Sequence, residues 1–394
     1  MIRNCFICHT DMERLFSSQW ALPGLPSTEI GFSICPACGT VAQSPTVTFE
    51  EMMTYYDSIA VYTNPGRQEK PSDTKVRDLD EQVQFVKRAM GRLPQSTLQI
   101  GSSDGYTLSR FKEAGVDRVL GVEPGRASVE IAKRLYDVES IPLGIEDFHT
   151  DERFELIILT HVLEHLYSPV AALLKCRELQ SNQRESFLFV EVPLLGLPGS
   201  LFPGFFAFEH INCFTRANLI RAITDAGYFP ISVLEHYTSN MSPIIGVMAS
   251  TKAQHHLVTA PNEYNTNKTI VTTYRDNEIR YWQDRLDTLT TELSDARHVY
   301  IWGAGIHTSQ LVANTNLLEK YTITGLTDGS SLKWGLKQGD WMCERPDAIS
   351  WQPGDRLIIS SYASEKEIFD ALDWLRQKGV TTLRLHHVDN PKSH

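Results

Sequence analysis

The chain has 394 residues, which accommodates two or three domains, and 42% of them are hydrophobic, enough for buried cores. The formal net charge of −11 disfavours a nucleic-acid partner, because binding to phosphates requires a basic surface. The N-terminus has no apolar signal-peptide core, and no uninterrupted run of about eighteen apolar residues follows. We therefore expect a cytoplasmic protein that does not insert into membranes.

Four of the seven cysteines lie near the start of the chain as two Cys-x-x-Cys pairs, Cys5/Cys8 and Cys35/Cys38. Each pair can direct two thiolates at one metal ion, and two pairs complete a tetrahedral site with no open position for chemistry. We therefore expect a structural zinc ion in an N-terminal module covering residues 1–62. Two disulfides or four ordinary thiols are the alternatives, and the absence of a secretory signal argues against the disulfides.

A glycine-bearing loop joins a strand to a helix in the next part of the chain. An apolar strand ends at Ile100, the loop follows from Gly101 to Gly105, and a helical pattern begins at once. The two glycines lack a Cβ, so the backbone can approach a ligand, and the helix offers unpaired N–H groups. A second strand ends at Glu123, where an acid can accept hydrogen bonds from a ribose diol. This pattern fits NAD, FAD or S-adenosylmethionine.

Strand and helix patterns alternate to about residue 250 and predict a mostly parallel sheet with helices on both faces. The predicted domain covers residues 78–252 and contains seven strands with a late antiparallel pair. Its predicted elements are a helix around 83–90, strands at 98–100 and 118–123, a strand ending near 144–147, strands at 154–159 and 186–192, a helix at 217–226, and strands at 231–235 and 244–249.

The C-terminal third predicts a long helix and a second α/β unit. Apolar residues at helical spacing indicate one amphipathic helix over 265–296, after a polar linker. A smaller Rossmann-like domain is expected at 297–394, where Gly303-Ala304-Gly305 follows a strand and Asp328 ends another. Because many such turns bind no nucleotide, this motif is a weak signal. Further predictions are a short helix at 49–56, an aromatic loop around Tyr62 and a linker at 64–78.

Two further motifs carry a family resemblance. The segment His161-Val162-Leu163-Glu164-His165-Leu166 resembles the loop after the fourth strand of class I S-adenosylmethionine-dependent methyltransferases, which often reads HVLEHL. The loop at 101–106 is similar to the GSNDGY loop of sugar C-methyltransferases, which methylate nucleotide-linked deoxyketosugars. Glu209-His210, before Phe214, matches that family's glutamate–histidine pair.

The resemblance covers essentially the whole chain. It implies an α/β protein with an N-terminal four-cysteine zinc module, a seven-stranded Rossmann-like methyltransferase domain, a long helix and a smaller C-terminal Rossmann-like domain. It also implies S-adenosylmethionine as cofactor and a small-molecule or glycan acceptor, such as a nucleotide-linked sugar. The expected cofactor-binding residues are Gly101, Ser103, Asp104, Gly105, Glu123, Pro124, Glu146 and His161.

The expected catalytic residues are His210, Glu209 and His165. A sugar hydroxyl or an α-carbon is a poor nucleophile until a base removes its proton, and an imidazole of near-neutral pKa does this efficiently. We expect His210 to be that base, with an acid such as Glu209 holding it, and His165 to be the second candidate. The apolar segment at 193–208 is either a lid over the pocket or a plain loop.

The sequence departs from the sugar C-methyltransferases at Gln99, where they have an acid, and at Ala207 and Phe208, where they have a tyrosine and a histidine. Both C-methylation and O-methylation therefore stay open. So do a zinc peptidase built on His161-x-x-Glu164-His165, an NAD-dependent oxidoreductase and a catalytically silent sugar-nucleotide-binding protein. The sequence specifies neither the acceptor nor the oligomeric state.

Overall fold

The computed structural model describes residues 2–44, 48, 50–53, 73–197, 204–236, 243–252, 261–362 and 364–386. The chain groups into two compact units, one of Met1–Phe16 with Gly31–Val271 and one of Ser17–Ile30 with Thr272–His394. The domain boundaries expected from the sequence differ from these units and stay predictions. Among the described residues, no helix combines the length and apolarity needed to span a membrane.

The strands of the described chain are β1 Glu13–Trp20, β2 Thr28–Ile34, β3 Val41–Ser44, β4 Ser96–Ile100, β5 Arg118–Val122, β6 Ser140–Ile141, β7 Leu156–Thr160, β8 Phe187–Pro193, β9 Asn212–Cys213, β10 Phe229–His236, β11 Ile244–Ser250, β12 Val299–Trp302, β13 Ile323–Thr327, β14 Lys337–Gln338, β15 Trp341–Glu344, β16 Arg356–Ile359 and β17 Thr381–Arg384. The α-helices are α1 Asp73–Met90, α2 Tyr106–Glu113, α3 Arg126–Tyr136, α4 Pro169–Glu178, α5 Arg216–Asp225, α6 Tyr264–Thr288, α7 Thr290–Ser294, α8 Ile306–Asn314, α9 Leu317–Lys320, α10 Glu365–Ala371 and α11 Asp373–Arg376.

The first unit contains a seven-stranded sheet, as far as the chain is described, in the order β10-β11-β8-β7-β4-β5-β6. The strands from β8 to β6 are parallel, and β10 and β11 form an antiparallel pair next to β8. This confirms the predicted Rossmann-like sheet and its late antiparallel pair. The parallel strands β4, β5, β7 and β8 are largely apolar and buried, as the sequence pattern indicates, whereas the edge strand β6 is half-buried.

Helices cover both faces of this sheet, and the alternation of side chains along β7 shows it. Ile157 and Leu159 join the buried cluster that includes residues of α4 and α5. Leu156 and Ile158 point the other way, into the cluster with residues of α1 and α2. The two-residue period of a strand therefore supplies both cores from one segment.

The third strand of the sheet is shorter and earlier than the sequence predicts. It covers only Ser140–Ile141, and residues 144–147, where we expected it to end, form a turn region. Pro142 follows the strand directly and has no N–H to donate to a ladder, so the edge strand stops there. This correction places Glu146 on a loop at the sheet edge.

A smaller sheet, in the order β1-β2-β3-β9, lies beside the cysteine pairs within the described chain. Its last strand comes from the segment after Glu209-His210, because Val41 of β3 pairs with Cys213 and Ala42 pairs with Asn212. Gln43 extends the connection by donating its side-chain amide to the Phe208 carbonyl at 3.0 Å. The N-terminal segment therefore supports the loop that carries the catalytic candidates.

The second unit contains a six-stranded sheet, counted over the described residues, in the order β14-β15-β13-β12-β16-β17. All neighbouring strands are parallel except β14 and β15. The two strands that the sequence predicts before Gly303 and before Asp328 are present as β12 and β13. The predicted continuous helix ends at Thr288 and resumes at Thr290. The threonines around Leu289 are β-branched residues of low helix propensity, which explains a break there.

Several sequence predictions fall partly or wholly outside the described residues. The aromatic loop around Tyr62 and most of the linker at 64–78 are among them. Residues 50–53 of the predicted helix at 49–56 are helical. The described end of the possible lid, 204–208, includes Phe206, whose ring makes an edge contact with Phe32 at 4.9 Å between centroids. A lid function for this segment stays a prediction.

Candidate functional site

A cavity of about 320 Å³ lies at the carboxyl ends of β4, β5 and β7 in the first unit. This edge of a parallel sheet is where doubly wound folds bind ligands. Seven predicted cofactor residues and one predicted catalytic residue line it, namely Gly101, Ser103, Asp104, Glu123, Pro124, Glu146, His161 and His165. The other candidates, Gly105, Glu209 and His210, are outside the lining of this cavity.

The two loop glycines are required by packing within the protein. Gly101 has a φ of +66°, and a Cβ at this position would overlap Cγ2 of Val162. Gly105 has a φ of +80°, and its Cβ would lie 2.8 Å from the Cβ of Ala132 in α3. At both glycines, the groups that come close to the backbone are side chains of the protein itself, those of Val162 and Ala132. Gly101 also lines the cavity.

Glu123 fits the expected role as a ribose acceptor. Its Oε2 accepts the Ser103 N–H at 2.9 Å, and its Oε1 accepts the Gly125 N–H at 2.9 Å. Burial raises the pKa of this carboxyl, and the two N–H groups oppose that shift. Each carboxylate oxygen has a second lone pair, so the fixed group can still accept hydrogen bonds from a diol in the cavity.

Two glutamines add polar atoms to the same cavity. Gln82 of α1 and Gln99 of β4 both line it, and both are buried. Their Oε1 atoms have no hydrogen-bond partner in the described part of the chain. A buried carbonyl oxygen without a donor is costly, so these two oxygens suit a ligand that brings N–H donors. The role of Gln82 was not recognisable from the sequence.

His161 is held by two buried carboxylates. Its Nε2 lies 3.3 Å from Oε1 of Glu191 and its Nδ1 lies 3.5 Å from Oε1 of Glu164. Burial lowers the pKa of His161, but the two carboxylates outweigh burial and raise it to about 10. Gln82 also donates its side-chain amide to Oε1 of Glu191. Sequence reasoning missed Glu191, although an acid within the apolar run of β8 is a recognisable signal.

His165 and His210 face each other, with ring centroids 5.2 Å apart. The Nδ1 of His165 lies 2.9 Å from the main-chain carbonyl of Glu209, and the Nδ1 of His210 lies 2.9 Å from that of Phe205. A carbonyl can only accept, so each Nδ1 carries the hydrogen and donates. The Phe205 carbonyl, and not a carboxylate, holds Nδ1 of His210. The expectation that an acid such as Glu209 holds this ring stays a prediction. Burial and the nearby His165 lower the pKa of His210.

Asn212 fixes this pair to the rest of the unit. Its side-chain amide donates to the Leu163 carbonyl at 3.2 Å and to the Leu166 carbonyl at 2.7 Å. These carbonyls flank Glu164 and His165, which lie in a 3₁₀ turn at 163–165. Its Oδ1 accepts from Arg3 at 3.2 Å. Asn212 is therefore a positioning residue that the sequence prediction did not include.

The zinc-peptidase interpretation is wrong on geometry. That motif needs two histidines one turn apart on an α-helix, both directed at one metal ion. Here residues 163–165 form only a short 3₁₀ turn, and His161 is engaged with Glu191. The grouping that brings potential ligand atoms together is Glu164, His165 and His210, whose atoms lie within 4.8 Å of one another.

The four N-terminal cysteines form the cluster that the sequence predicts. Their Sγ atoms lie 3.6 Å apart for Cys5 and Cys38, 3.4 Å for Cys8 and Cys35, and 3.6 Å for Cys8 and Cys38. These separations are too long for a disulfide, whose sulfur atoms are about 2 Å apart. They fit four thiolates around one ion at about 2.3 Å each. Thr40 Oγ1, 3.1 Å from the Cys38 sulfur, and the Ile7 N–H, 3.4 Å from the Cys5 sulfur, add the outer hydrogen bonds typical of such sites.

The glycine turn of the second unit has an internal partner. Asp328 accepts the Ala304 N–H at 2.8 Å and the Ser330 N–H at 2.8 Å, and it pairs with Lys333 at 2.9 Å. Asp328 therefore fixes the loops that follow β12 and β13.

The sheet order, the loop after β4 and the acid after β5 define a class of protein. They are features of a class I S-adenosylmethionine-dependent methyltransferase domain, and residues 75–233 match the family model described as a methyltransferase domain. The chain therefore carries such a domain, the enzyme module that transfers methyl groups.

Curated relatives match a part of this region. The chain is 34% identical over 91 residues to a tRNA U34 carboxymethyltransferase of Shewanella amazonensis, covering 21% of this chain and 28% of that protein. It is 33% identical over 101 residues to the protein of the same name from Shewanella baltica, covering 24% of this chain and 30% of that protein. The chain thus spans less than a third of the length of these relatives.

Solved structures are similar at lower identity. The 1,6-didemethyltoxoflavin-N1-methyltransferase of Burkholderia thailandensis, solved with S-adenosylhomocysteine, is 15% identical, with 58% of this chain and 98% of that chain covered and a TM-score of 0.40. The N-methyltransferase NodS of Bradyrhizobium japonicum is 13% identical, with 48% and 97% covered and a TM-score of 0.38. The class assignment rests on the family model and on the sheet.

Proposed function

We propose that this protein transfers a methyl group from S-adenosylmethionine to an oxygen or carbon atom of a small polar acceptor, such as a sugar or a nucleotide-linked sugar. The observation that carries the proposal is one cavity at the ends of β4, β5 and β7. It brings the glycine loop and Glu123 together with His165, and His210 packs against His165.

The residues around the cavity suit each part of the donor. The fixed carboxylate of Glu123 would accept hydrogen bonds from the ribose diol. Val122, Leu143 and Ile145 line the same cavity and offer an apolar wall for an adenine ring. The unpartnered oxygens of Gln82 and Gln99 would accept from an ammonium group, which compensates for the acid that the sequence lacks at position 99. When bound, the donor supplies an electrophilic methyl carbon on a sulfonium.

Activation of the acceptor is assigned to the histidine pair. Methyl transfer is an in-line displacement, so alignment and removal of water supply much of the rate. The acceptor oxygen or carbon forms a bond to the methyl carbon while the carbon–sulfur bond breaks and its electron pair stays on sulfur. The acceptor's proton passes to Nε2 of His210, since Nδ1 is already bonded to the Phe205 carbonyl. His165 lines the cavity and directs the acceptor toward that nitrogen.

The class of acceptor is argued from charge and from the resemblance to sugar methyltransferases. A net charge of −11 opposes the binding of a large polyanion, so we do not extend the tRNA substrate in the names of the curated relatives to this chain. C-methylation and O-methylation remain equal alternatives, because Ala207 and Phe208 replace the two acid–base residues of the sugar C-methyltransferases.

Calorimetric titration of the zinc-replete protein with S-adenosylhomocysteine tests the proposal. We expect micromolar binding that weakens at least about tenfold in Glu123→Gln, because a hydrogen bond to a charged group is lost. Asp328→Asn is the matched control, since Asp328 holds the corresponding position in the second unit. It should bind like the wild type. Binding that is lost in Asp328→Asn and kept in Glu123→Gln would contradict the proposed site. Binding of NAD or of a sugar nucleotide without any S-adenosylhomocysteine binding would contradict the methyltransferase function.

A further inference from the structure

Glu164, His165 and His210 form a cluster whose chemistry the proposed methyl transfer uses only in part. The carboxylate of Glu164 is 1% exposed. Neither of its oxygens has a hydrogen-bond partner among the described residues, and the ring nitrogens that ion-pair geometry places nearest to it are Nδ1 of His161, at 3.5 Å, and Nε2 of His165, at 3.7 Å. A buried carboxylate that accepts no hydrogen bond is costly unless a cation satisfies it.

The two histidines are oriented as metal-binding histidines usually are. Each donates its Nδ1 hydrogen to a main-chain carbonyl, that of Glu209 for His165 and that of Phe205 for His210, at 2.9 Å in both cases. This outer hydrogen bond fixes the ring and the tautomer, so that Nε2 carries the lone pair. One ring nitrogen of each histidine and one Glu164 oxygen form a group whose ligand atoms lie within 4.8 Å of one another.

From this geometry we propose that Glu164, His165 and His210 bind a divalent first-row transition-metal ion at the edge of the cofactor cavity. Two imidazoles and one carboxylate form a ligand set that suits such ions better than magnesium or calcium, which prefer oxygen ligands alone. Three protein ligands leave positions open for a further ligand.

The proposal rests on the proposed function and deepens it by defining the acceptor. His165 lines the cavity, so an ion held by this cluster would adjoin the space where the acceptor would lie. An acceptor with a hydroxyl or carbonyl oxygen at or beside the methylated atom can bind the ion through that oxygen. When bound, the ion would lower the pKa of a hydroxyl that ligates it, so that the hydroxyl would lose its proton to water. In the metal-loaded protein the ion thus replaces His210 as the group that favours the deprotonated acceptor.

Titration of the full-length, zinc-replete protein with Mn²⁺, followed by the paramagnetic resonance signal of free Mn²⁺, tests the site. Mn²⁺ is a suitable probe because soft thiolates select zinc, so the cysteine cluster does not exchange its ion for manganese. We expect one Mn²⁺ per chain, and a loss of affinity of at least about 100-fold in His210→Gln and in Glu164→Gln, since even outer partners of a site contribute about 10- to 100-fold.

His298→Gln is the matched control, because His298 also pairs with a buried carboxylate, Asp355, at 2.9 Å. It lies in the second unit, outside the ligand groups found in the described chain. The control should bind Mn²⁺ like the wild type. Melting temperatures show whether each variant folds, and His210→Gln decides the test if Glu164→Gln does not fold.

An unchanged signal of free Mn²⁺ with the wild type at millimolar ion would overturn the proposal. So would equal binding by the wild type, His210→Gln and Glu164→Gln. Neither result tests the methyltransferase function, because the titration with S-adenosylhomocysteine is done without Mn²⁺. If the protein binds S-adenosylhomocysteine but no Mn²⁺, the proposed methyltransferase function stands and only the proposed metal site is refuted.

Discussion

Replacement of Gly101 by alanine should destabilise the first unit in two ways that can be measured separately. The residue has a φ of +66°, a region that costs an L-residue with a Cβ about 1–2 kcal/mol. The new Cβ would also overlap Cγ2 of Val162, and forced repacking of this kind costs about 1–3 kcal/mol. The two effects together predict a loss of about 2–5 kcal/mol in the free energy of unfolding.

Gly91→Ala is the control that isolates the conformational cost. Gly91 has a φ of +69°, and no atom lies within 4 Å of its potential Cβ. This variant should lose only about 1–2 kcal/mol. A second variant, Val162→Ala in the Gly101→Ala background, removes the clashing Cγ2 and should recover part of the larger loss. The comparison assumes only that Gly→Ala lowers the conformational entropy of the unfolded chain equally at both positions.

The assay must follow the first unit. All seven tryptophans of the sequence fall in the ranges of the second unit, so tryptophan fluorescence reports that unit. Urea unfolding should therefore be followed by circular dichroism as well, and the transition that fluorescence does not report should be fitted by itself. Equal losses in Gly101→Ala and Gly91→Ala would refute the close packing of the loop against Val162.

Three further predictions address other contacts. Asn212→Ala should lower the free energy of unfolding of the first unit by about 2 kcal/mol, because it removes the side-chain donor to the Leu166 carbonyl and one of the two donors to the Leu163 carbonyl. Urea unfolding measures this, and a loss below about 0.5 kcal/mol would contradict the positioning role. Removal of zinc by a chelator should weaken S-adenosylhomocysteine binding in calorimetry, because β3 pairs with the strand that follows His210; unchanged affinity in the metal-free protein would argue that the cluster and the cavity are independent. Burial and the nearby His386 lower the pKa of His307 well below its usual value. The stabilising contribution of neutral His307 is therefore complete above about pH 6.5 and is lost as the pH falls toward the lowered pKa. Melting temperatures measured from about pH 7.5 to about pH 5 should fall more steeply for the wild type than for His307→Gln, and parallel curves would refute this prediction.

Local sequence signals were sufficient for the elements that build the cavity. The apolar strand before Gly101 and the acid at Glu123 are close in sequence, and both are determined by the geometry of one strand–loop–helix unit. The cysteine pairs were equally recognisable, because a tetrahedral ion requires their spacing. Periodicity also located the strands of the main sheet to within a few residues, except at the edge where Pro142 ends β6.

The parts that the sequence did not reveal depend on contacts between distant segments. Glu191 and Gln82 meet across more than a hundred residues, so no local pattern connects them. The pKa of His161 is raised because Glu164 and Glu191, which lie on different elements, converge on it. The role of Asn212 was invisible for the same reason, since its partners are carbonyls, which any residue can supply.

The bond from Gln43 to the Phe208 carbonyl joins residues 165 positions apart, and this separation determines the order in which the protein can be completed during synthesis. A ribosome adds about 5–20 residues per second, so the N-terminal hairpin exists for some seconds or longer before its last strand emerges. Until then β3 has an open edge, which is a site for wrong pairing with other chains. The histidine pair is therefore assembled late, after most strands of the main sheet have been made, and a nascent chain forms most of its cavity before His210 packs against His165.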